Sequence, residues 1–311
     1  MSGAVVVGVD GGGSKTRVVV ADETGRPLGS TEGPASAVRP GAVDHSADVI
    51  AACVRDALAH AGVAPATPKV LCVGVAGVGR EPEREALWRL LAARELAEEV
   101  SVQPDAMIAL DDAFGDGAGV LLIAGTGSVA FARGPDGTFR RCGGWGPVIG
   151  DEGSGAWMGR RALGVAAASA DGREPESALV GALLTAIGAD DPAALVPWAA
   201  HATPAQLATL APVVLRVAEG GDLRANSLLA LAVEELVLHV RALARALFVD
   251  ERAAVPVALA GGLLARGAPL RRRLEQRLRS AVPGAQLRAE DVDPARGAVR
   301  GALRLLGVEL A

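Results

Sequence analysis

Hydrophobic and polar positions along the chain fall into two successive cycles. Residues 4–9, Ala-Val-Val-Val-Gly-Val, are a continuous apolar run ending in Asp10, the pattern of a buried strand. Residues 17–21 form a second, β-branched run, followed by the turn Asp22-Glu23-Thr24-Gly25 and an alternating strand around Leu28 and Ser30. Two hairpins in succession therefore open the chain. Asp44 or Ser46 stands where it can cap a helix whose apolar positions Ala47, Ile50, Ala51, Val54 and Leu58 recur at helical spacing. A buried strand at 70–75, a charged amphipathic helix at 81–96, a short strand at 100–102 and a helix at 106–114 complete the cycle. This order, hairpins first and crossovers after, is not the strict β-α-β alternation of a dinucleotide-binding domain.

The second cycle repeats the opening in structural outline. Residues 120–124 are an apolar strand ending in Gly-Thr-Gly-Ser, residues 129–133 pair back, and Pro135-Asp136-Gly137 makes the next turn. From 156 to 249 the periodicity is mostly helical, clearest where Leu229, Val233, Leu236, Val240, Leu243 and Leu247 share one face. A last strand at 255–260 runs into Gly261-Gly262, and a closing helix at 295–306 is apolar enough to pack back onto the first domain. The expectation is an α/β protein of two domains, the first spanning 1–115 and rejoined by 295–311, the second spanning 116–294.

Bulk properties narrow the class. With 311 residues, half of them hydrophobic, the chain can bury a large core, about 75% of its unfolded surface at this size. A net charge of −5 and an aromatic content of 3% argue against a nucleic-acid binder, which needs basic patches or stacking platforms. The first apolar run is short and follows no basic segment, so it reads as a strand and not as a signal peptide. No stretch approaches the roughly 20 apolar residues of a membrane span. Cys53, Cys72 and Cys142 are far apart and fit neither a disulfide framework nor a zinc pattern. A cytoplasmic protein is expected.

Candidate chemistry gathers at the strand ends. Asp10 faces a turn built from Gly11, Gly12, Gly13, Ser14 and Lys15, ahead of Thr16. Glycines let backbone N–H groups approach an anion closely, and the Ser14 and Thr16 hydroxyls can add donors. A carboxylate beside a phosphate makes sense with a cation between them, usually Mg²⁺ through water. The alternative is a plain glycine-rich hairpin. A P-loop is excluded because Ser14, not Gly, precedes Lys15. Gly125, Thr126, Gly127 and Ser128 occupy the same place in the second cycle, and two such turns could clamp a nucleotide tail.

Asp105 follows the 100–102 strand and opens a helix, a position that suits a general base. Asp111 and Asp112 read as exposed loop carboxylates. The segment 142–157 is dense in glycine, with Trp145 and Trp157 near its ends. Its acidic pair Asp151 and Glu152 suits recognition of polyol hydroxyls, with helix capping through Ser154 as the alternative. Gly261-Gly262 would let an adenine and ribose lie against the backbone, or simply form a turn. Arg271, Arg272, Arg273, Arg277 and Arg279 read as a solvated helix face. The histidines His45, His60, His201 and His239 are assigned no chemistry.

Together these segments resemble the N-acetylglucosamine kinase family, within the benzoyl-CoA-reductase-activator (BadF/BadG/BcrA/BcrD) type ATPases of the actin/hexokinase/heat-shock superfamily. The resemblance runs from Val5 to about Leu303. VGVDGGGSKT is similar to the first phosphate motif, LLIAGTGSVA to the second, CGGWGPVIGDEGSGAWMGRRAL to the family's most specific segment and VALAGGLL to its adenosine motif. The resemblance implies two ribonuclease-H-like, actin-like ATPase lobes with a cleft between them, closing on ATP and a sugar. It implies that Ser14 and Thr126 contact ATP phosphates, that Asp10 helps hold Mg²⁺ through water, and that Asp105 is the base. Gly144, Trp145, Gly146 and Asp151 match sugar-contacting positions, with Glu152 beside them. Ser36 stands where family sugar kinases often place Asn, and Gln103-Pro104 replaces the usual dipeptide before the base.

The implied function is transfer of phosphate from ATP to an amino sugar, most readily N-acetylglucosamine, or glucosamine or N-acetylmuramic acid, at O6. A homodimer acting on a small-molecule sugar, with no nucleic-acid or membrane partner, is expected. One alternative is an ATPase that drives electrons into a partner redox enzyme, which requires cysteines around an iron–sulfur cluster. The other is a sugar sensor without catalysis.

Overall fold

The computed structural model describes residues 3–39, 41–63, 67–250 and 253–308. The chain divides into two compact units, one of Met1–Gly117 with Val292–Ala311, the other of Ala118–Asp291.

The first unit opens with β1 (Val5–Gly11), β2 (Thr16–Asp22) and β3 (Pro27–Gly33), followed by α1 (Val43–His60) and β4 (Val70–Val75). It continues through α2 (Glu81–Ala92), β5 (Glu99–Pro104) and α3 (Asp105–Phe114). Its sheet runs β3-β2-β1-β4-β5, antiparallel through the hairpins and parallel from β1 to β5. Both sheet faces are covered, which is why β1 and β4 read as unbroken apolar runs. Val7 and Val9 pack with Ile50, Val54, Leu87 and Leu91 on one side. Val6 and Cys72 pack with Ile108, Val299 and Leu303 on the other.

The second unit begins with β6 (Gly119–Ala124), β7 (Ser128–Arg133) and β8 (Phe139–Gly143). The helices α4 (Gly155–Ala170), α5 (Leu179–Ile187), α6 (Leu195–His201), α7 (Pro204–Ala208), α8 (Ala211–Glu219) and α9 (Leu223–Leu247) follow. The unit closes with β9 (Val255–Ala260), α10 (Pro269–Ala281) and β10 (Ala285–Leu287). Its sheet order, β10-β9-β6-β7-β8, is the first unit's order read from the opposite edge, with β6 and β7 antiparallel and β6 parallel to β9. The two cycles seen in the sequence are one topology used twice.

The last helix, α11 (Pro294–Leu305), rejoins the first unit. Close approach demands small residues there. A Cβ on Gly8 would meet Val299 N and Ala295 O, and one on Gly297 would collide with Ile108 O of α3.

Several local expectations change. α1 starts at Val43 with Ala42 as an N-cap that makes no side-chain bond. Neither Asp44 nor Ser46 caps it, since Ser46 lies inside the first turn, its Oγ donating to Ala37 O at 3.3 Å. α2 stops at Ala92 instead of 96, and Glu95 adopts φ +50° in the turn that follows. Asp111 and Asp112 are not loop carboxylates. They sit on α3 at 2% and 5% exposure, because arginines of α11 cover them: Arg296 grips Asp112, and Arg304 lies 3.4 Å from Asp111. Arg271 is not solvated either. It is buried at 4% exposure, with Glu275 at 2.8 Å and the carbonyl of Leu264 at 3.0 Å, while Arg272 and Arg279 face solvent as expected. Ser154 does cap α4, accepting the Trp157 N–H at 3.2 Å.

Candidate active site

In the first unit, strand register brings the carboxylates together. Asp10 pairs with Gly74, which pairs with Gln103, and one step on Gly11, Val75 and Pro104 form the row of parallel strand ends. β5 passes directly into α3, so Asp105 is presented from the first turn of that helix beside the end of β1. Its Oδ1 accepts the Ala106 N–H at 2.9 Å. Burial pushes the Asp105 carboxyl above its ordinary value. The Asp10 carboxyl is pushed up to about 6, first by burial and then by the negative charges of Asp105 and Asp293, against the opposing pull of Arg17 and Lys15.

Asp293 was not among the residues singled out from the sequence. It caps α11, accepting the Arg296 N–H at 3.3 Å through Oδ1, and its Oδ2 takes a 2.8 Å bond from Arg17 Nη1 of β2. An Asp before Pro at a helix start is a common cap signal. Its place beside Asp10 follows only from the return of the last helix.

The first glycine turn is closed by Gly12 N donating to Lys15 O at 2.9 Å, and Gly12 O accepts from Ser36 N and Ala37 N at 3.2 and 3.1 Å. Gly13, Ser14 and Lys15 are exposed on its tip. The Lys15 ammonium pairs with Glu32 of β3 at 2.6 Å. Thr16 turns inward, fully buried, its Oγ1 lying 2.6 Å from Pro34 O and 2.7 Å from Ser36 Oγ. Ser36 is buried at 1% exposure and engaged with Thr16. These two hydroxyls hold the turn against the segment after β3, so the direct ligand roles expected of Thr16 and Ser36 do not match their burial. Ser14 keeps its exposed position.

The second unit carries the matching turn. Gly125 N donates to Gly127 O at 2.9 Å, and the first N–H groups of α4 grip the turn from below, Gly155 on Gly125 O at 2.8 Å and Ala156 on Thr126 O at 3.1 Å. Ser128 is buried and donates its hydroxyl to Glu152 O at 2.7 Å, so it braces the acidic loop instead of facing solvent. Asp151 adopts φ +58°, and a Cβ on Gly127 would come within 2.8 Å of its Oδ2. Gly127 is thus what lets this carboxylate lie against the Gly125–Ser128 turn.

Gly261, at φ +91°, packs on the end of β6, where a Cβ would collide with Ala124 O, and Gly262 N lies 3.9 Å from the Cβ position of Gly125. The Gly261-Gly262 pair therefore adjoins the Gly125–Ser128 turn. Gly144 and Gly146 both have positive φ, and the loop they flank exposes Trp145 at 65%, with the Arg141 guanidinium 5.1 Å above its ring. Val148 and Ile149 stand out at 87% and 74% exposure.

Among the described residues no group of three or more His, Cys, Asp or Glu could hold a metal ion, and no single helix is long and apolar enough to cross a membrane. Cys53 and Cys72 are buried, and burial pushes the Cys72 thiol up to about 12.

Two mixed sheets of the same strand order, each with a glycine-rich turn between its first two strands, define an α/β protein of the actin-like ATPase class. The chain belongs to the BadF/BadG/BcrA/BcrD ATPase family, whose model matches residues 7–302. It is 28% identical to the N-acetyl-D-glucosamine kinase of Dictyostelium discoideum over 97% of this chain and 99% of that one. It is 29% identical to the N-acetylmuramic acid/N-acetylglucosamine kinase of Clostridium acetobutylicum over 83% and 85%. A crystal structure from Chromobacterium violaceum, provisionally named an N-acetylglucosamine kinase, shares 35% identity and a TM-score of 0.76, covering 96% of this chain and 99% of its own.

Proposed function

We propose that the protein transfers the γ-phosphoryl group of ATP to an amino sugar, N-acetylglucosamine or a close relative such as glucosamine or N-acetylmuramic acid, at O6. The observation that carries the reading is the desolvated Asp10–Asp105 pair at adjoining strand ends, in a chain that aligns with amino-sugar kinases over nearly its full length. Phosphoryl transfer needs little from a protein beyond positioning, charge stabilisation and a group to take the hydroxyl proton.

Asp105 accepts that proton. Its exposure to the helix N-terminus favours the carboxylate, while burial raises its basicity, so it is a stronger base than a solvated aspartate. The N–H groups around Gly12–Lys15 and Gly125–Gly127, with the Ser14 and Thr126 hydroxyls, bind the phosphates, and Gly261-Gly262 carries the adenosine. Asp151 and Glu152, with Trp145 between Gly144 and Gly146, bind the sugar.

Magnesium fits Asp10. A carboxylate pushed up to about 6 by burial and by two like-charged neighbours is one that a cation relieves, and it offers the hard oxygen donor that Mg²⁺ prefers. When bound, the ion neutralises charge on the transferred group. Asp293, held by Arg17, adds to the negative field there.

The reading in which the chain energises a partner redox enzyme finds no support in the cysteines, two of which are buried. A coupled assay of ADP release over N-acetylglucosamine, glucosamine, N-acetylmuramic acid, N-acetylmannosamine and glucose tests the proposal. Stimulation by one or more of the amino sugars is expected. No stimulation by any of them would remove it.

A further inference from the structure

Where β1 ends and β2 begins, the charged side chains pair in an order that the strand register does not suggest. Val6, Gly8 and Asp10 of β1 stand directly opposite Ala21, Val19 and Arg17 of β2. Opposed residues of an antiparallel pair share one face of the sheet, their Cβ atoms about 4.5–5.5 Å apart. Here that face is the one α11 covers. Val6, Val19 and Ala21 pack with Val299 and Leu303, and a Cβ on Gly8 would meet Val299 N and Ala295 O. Asp10 and Arg17 are thus opposite charges side by side, and the two strands alone would pair them.

The guanidinium goes elsewhere. Arg17 Nη1 donates to Asp293 Oδ2 at 2.8 Å. Asp293 is set in place by two backbone ties: its N–H donates to Asp112 Oδ2 at 2.7 Å, and its Oδ1 accepts the Arg296 N–H at 3.3 Å. One carboxylate oxygen therefore caps α11 and the other is left for the arginine. Lys15, the second cation acting on Asp10, is held by Glu32 at 2.6 Å. Both cations near Asp10 have been given other carboxylates.

We propose that Asp293 is a positioning residue for metal binding: by holding Arg17 it keeps the guanidinium off Asp10 and leaves that carboxylate open to Mg²⁺. This rests on the reading of Asp10 as the magnesium residue. Without Asp293, Arg17 turns to its strand neighbour and competes with the ion. The negative charge of Asp293 also favours a cation directly, but that effect does not depend on Arg17. A double-mutant cycle separates the two.

The measurement is the rise in melting temperature of the full-length protein as Mg²⁺ is titrated at saturating ADP. Asp293→Asn should raise the Mg²⁺ concentration at half-maximal rise about tenfold, the worth of one hydrogen bond to a charged group. Asparagine still caps a helix, so α11 keeps its start. Arg17→Gln should need no more Mg²⁺ than wild type. In the Arg17→Gln background, Asp293→Asn should cost less than about threefold, because no guanidinium is released.

No loss in Asp293→Asn, a tenfold loss that persists in the Arg17→Gln background, or a weaker response in Arg17→Gln itself would overturn this role and leave the magnesium reading intact. Asp10→Asn tests that reading separately and should shift the midpoint at least about tenfold. An unshifted midpoint there removes Asp10 as the magnesium residue, and this proposal with it. Should Asp293→Asn not fold, Asp293→Ser, which keeps a capping hydroxyl, takes its place.

Discussion

Arg296 grips Asp112 with two bonds, Nε to Oδ1 at 2.5 Å and Nη2 to Oδ2 at 2.8 Å, while the same carboxylate accepts the Asp293 N–H at 2.7 Å. One buried side chain on α3 thereby fastens the start of α11, a helix that follows in the chain only after the whole second unit. It also fixes the residue, Asp293, that stands beside Asp10.

Removing the grip should loosen that closure. Asp112→Ala removes the carboxylate to which both the Asp293 N–H and the half-exposed Arg296 bond. Breaking a buried pair costs about 3–5 kcal/mol, and the exposure of Arg296 argues for the lower part of that range. A urea titration should show the loss as a lower midpoint. A change below about 1 kcal/mol would mean that the Asp112 carboxylate is not what holds α11, leaving its apolar packing and the other polar ties, such as Arg304 with Asp111, to do so.

The Asp10 carboxyl predicts an inverted pH dependence. Its value in the folded protein, about 6, lies above the ordinary 3.8. The native state therefore binds more protons than the unfolded chain between those values, and this group's contribution to stability falls as pH rises through that window. At pH 7 the cost is at most about 3 kcal/mol. Asp10→Asn should melt several degrees higher than wild type at pH 7 in metal-free buffer. The difference should shrink as pH falls from about 6 and be nearly gone below about 4. Equal melting temperatures at pH 7 would show that Asp10 is not under electrostatic strain.

Gly261 tests the proposed adenosine contact. Its φ of +91° and the collision of a Cβ with Ala124 O make alanine a misfit at the base of the Gly125 turn. Backbone strain of about 1–3 kcal/mol is expected. Gly261→Ala should raise the ATP KM more than the sugar KM. The reverse order would move the adenosine site elsewhere.

Much of this was legible along the chain. Strands at 70–75, 120–124 and 255–260 are short apolar runs buried on both faces, and such runs leave little room for another reading. The glycine turns and Asp105 at a strand-to-helix junction were legible for the same local reason. What escaped depended on partners far away in sequence. Asp111 and Asp112 look solvated until Arg296 and Arg304 arrive from α11. Arg271 looks like one stripe of a charged helix, yet it turns inward to the carbonyls of Leu264 and Arg288. Thr16 and Ser36 look like ligand hydroxyls, and their mutual contact is invisible without the fold.

The most direct test is sugar-dependent ADP release by Asp105→Asn beside wild type, with ATP affinity measured on both. The account predicts that wild type turns over an amino sugar, and that the variant loses about 10²–10⁴-fold in kcat, the usual worth of a general base, with ATP affinity within about threefold. A variant that phosphorylates the sugar at the wild-type rate would contradict the assignment of Asp105 as the base.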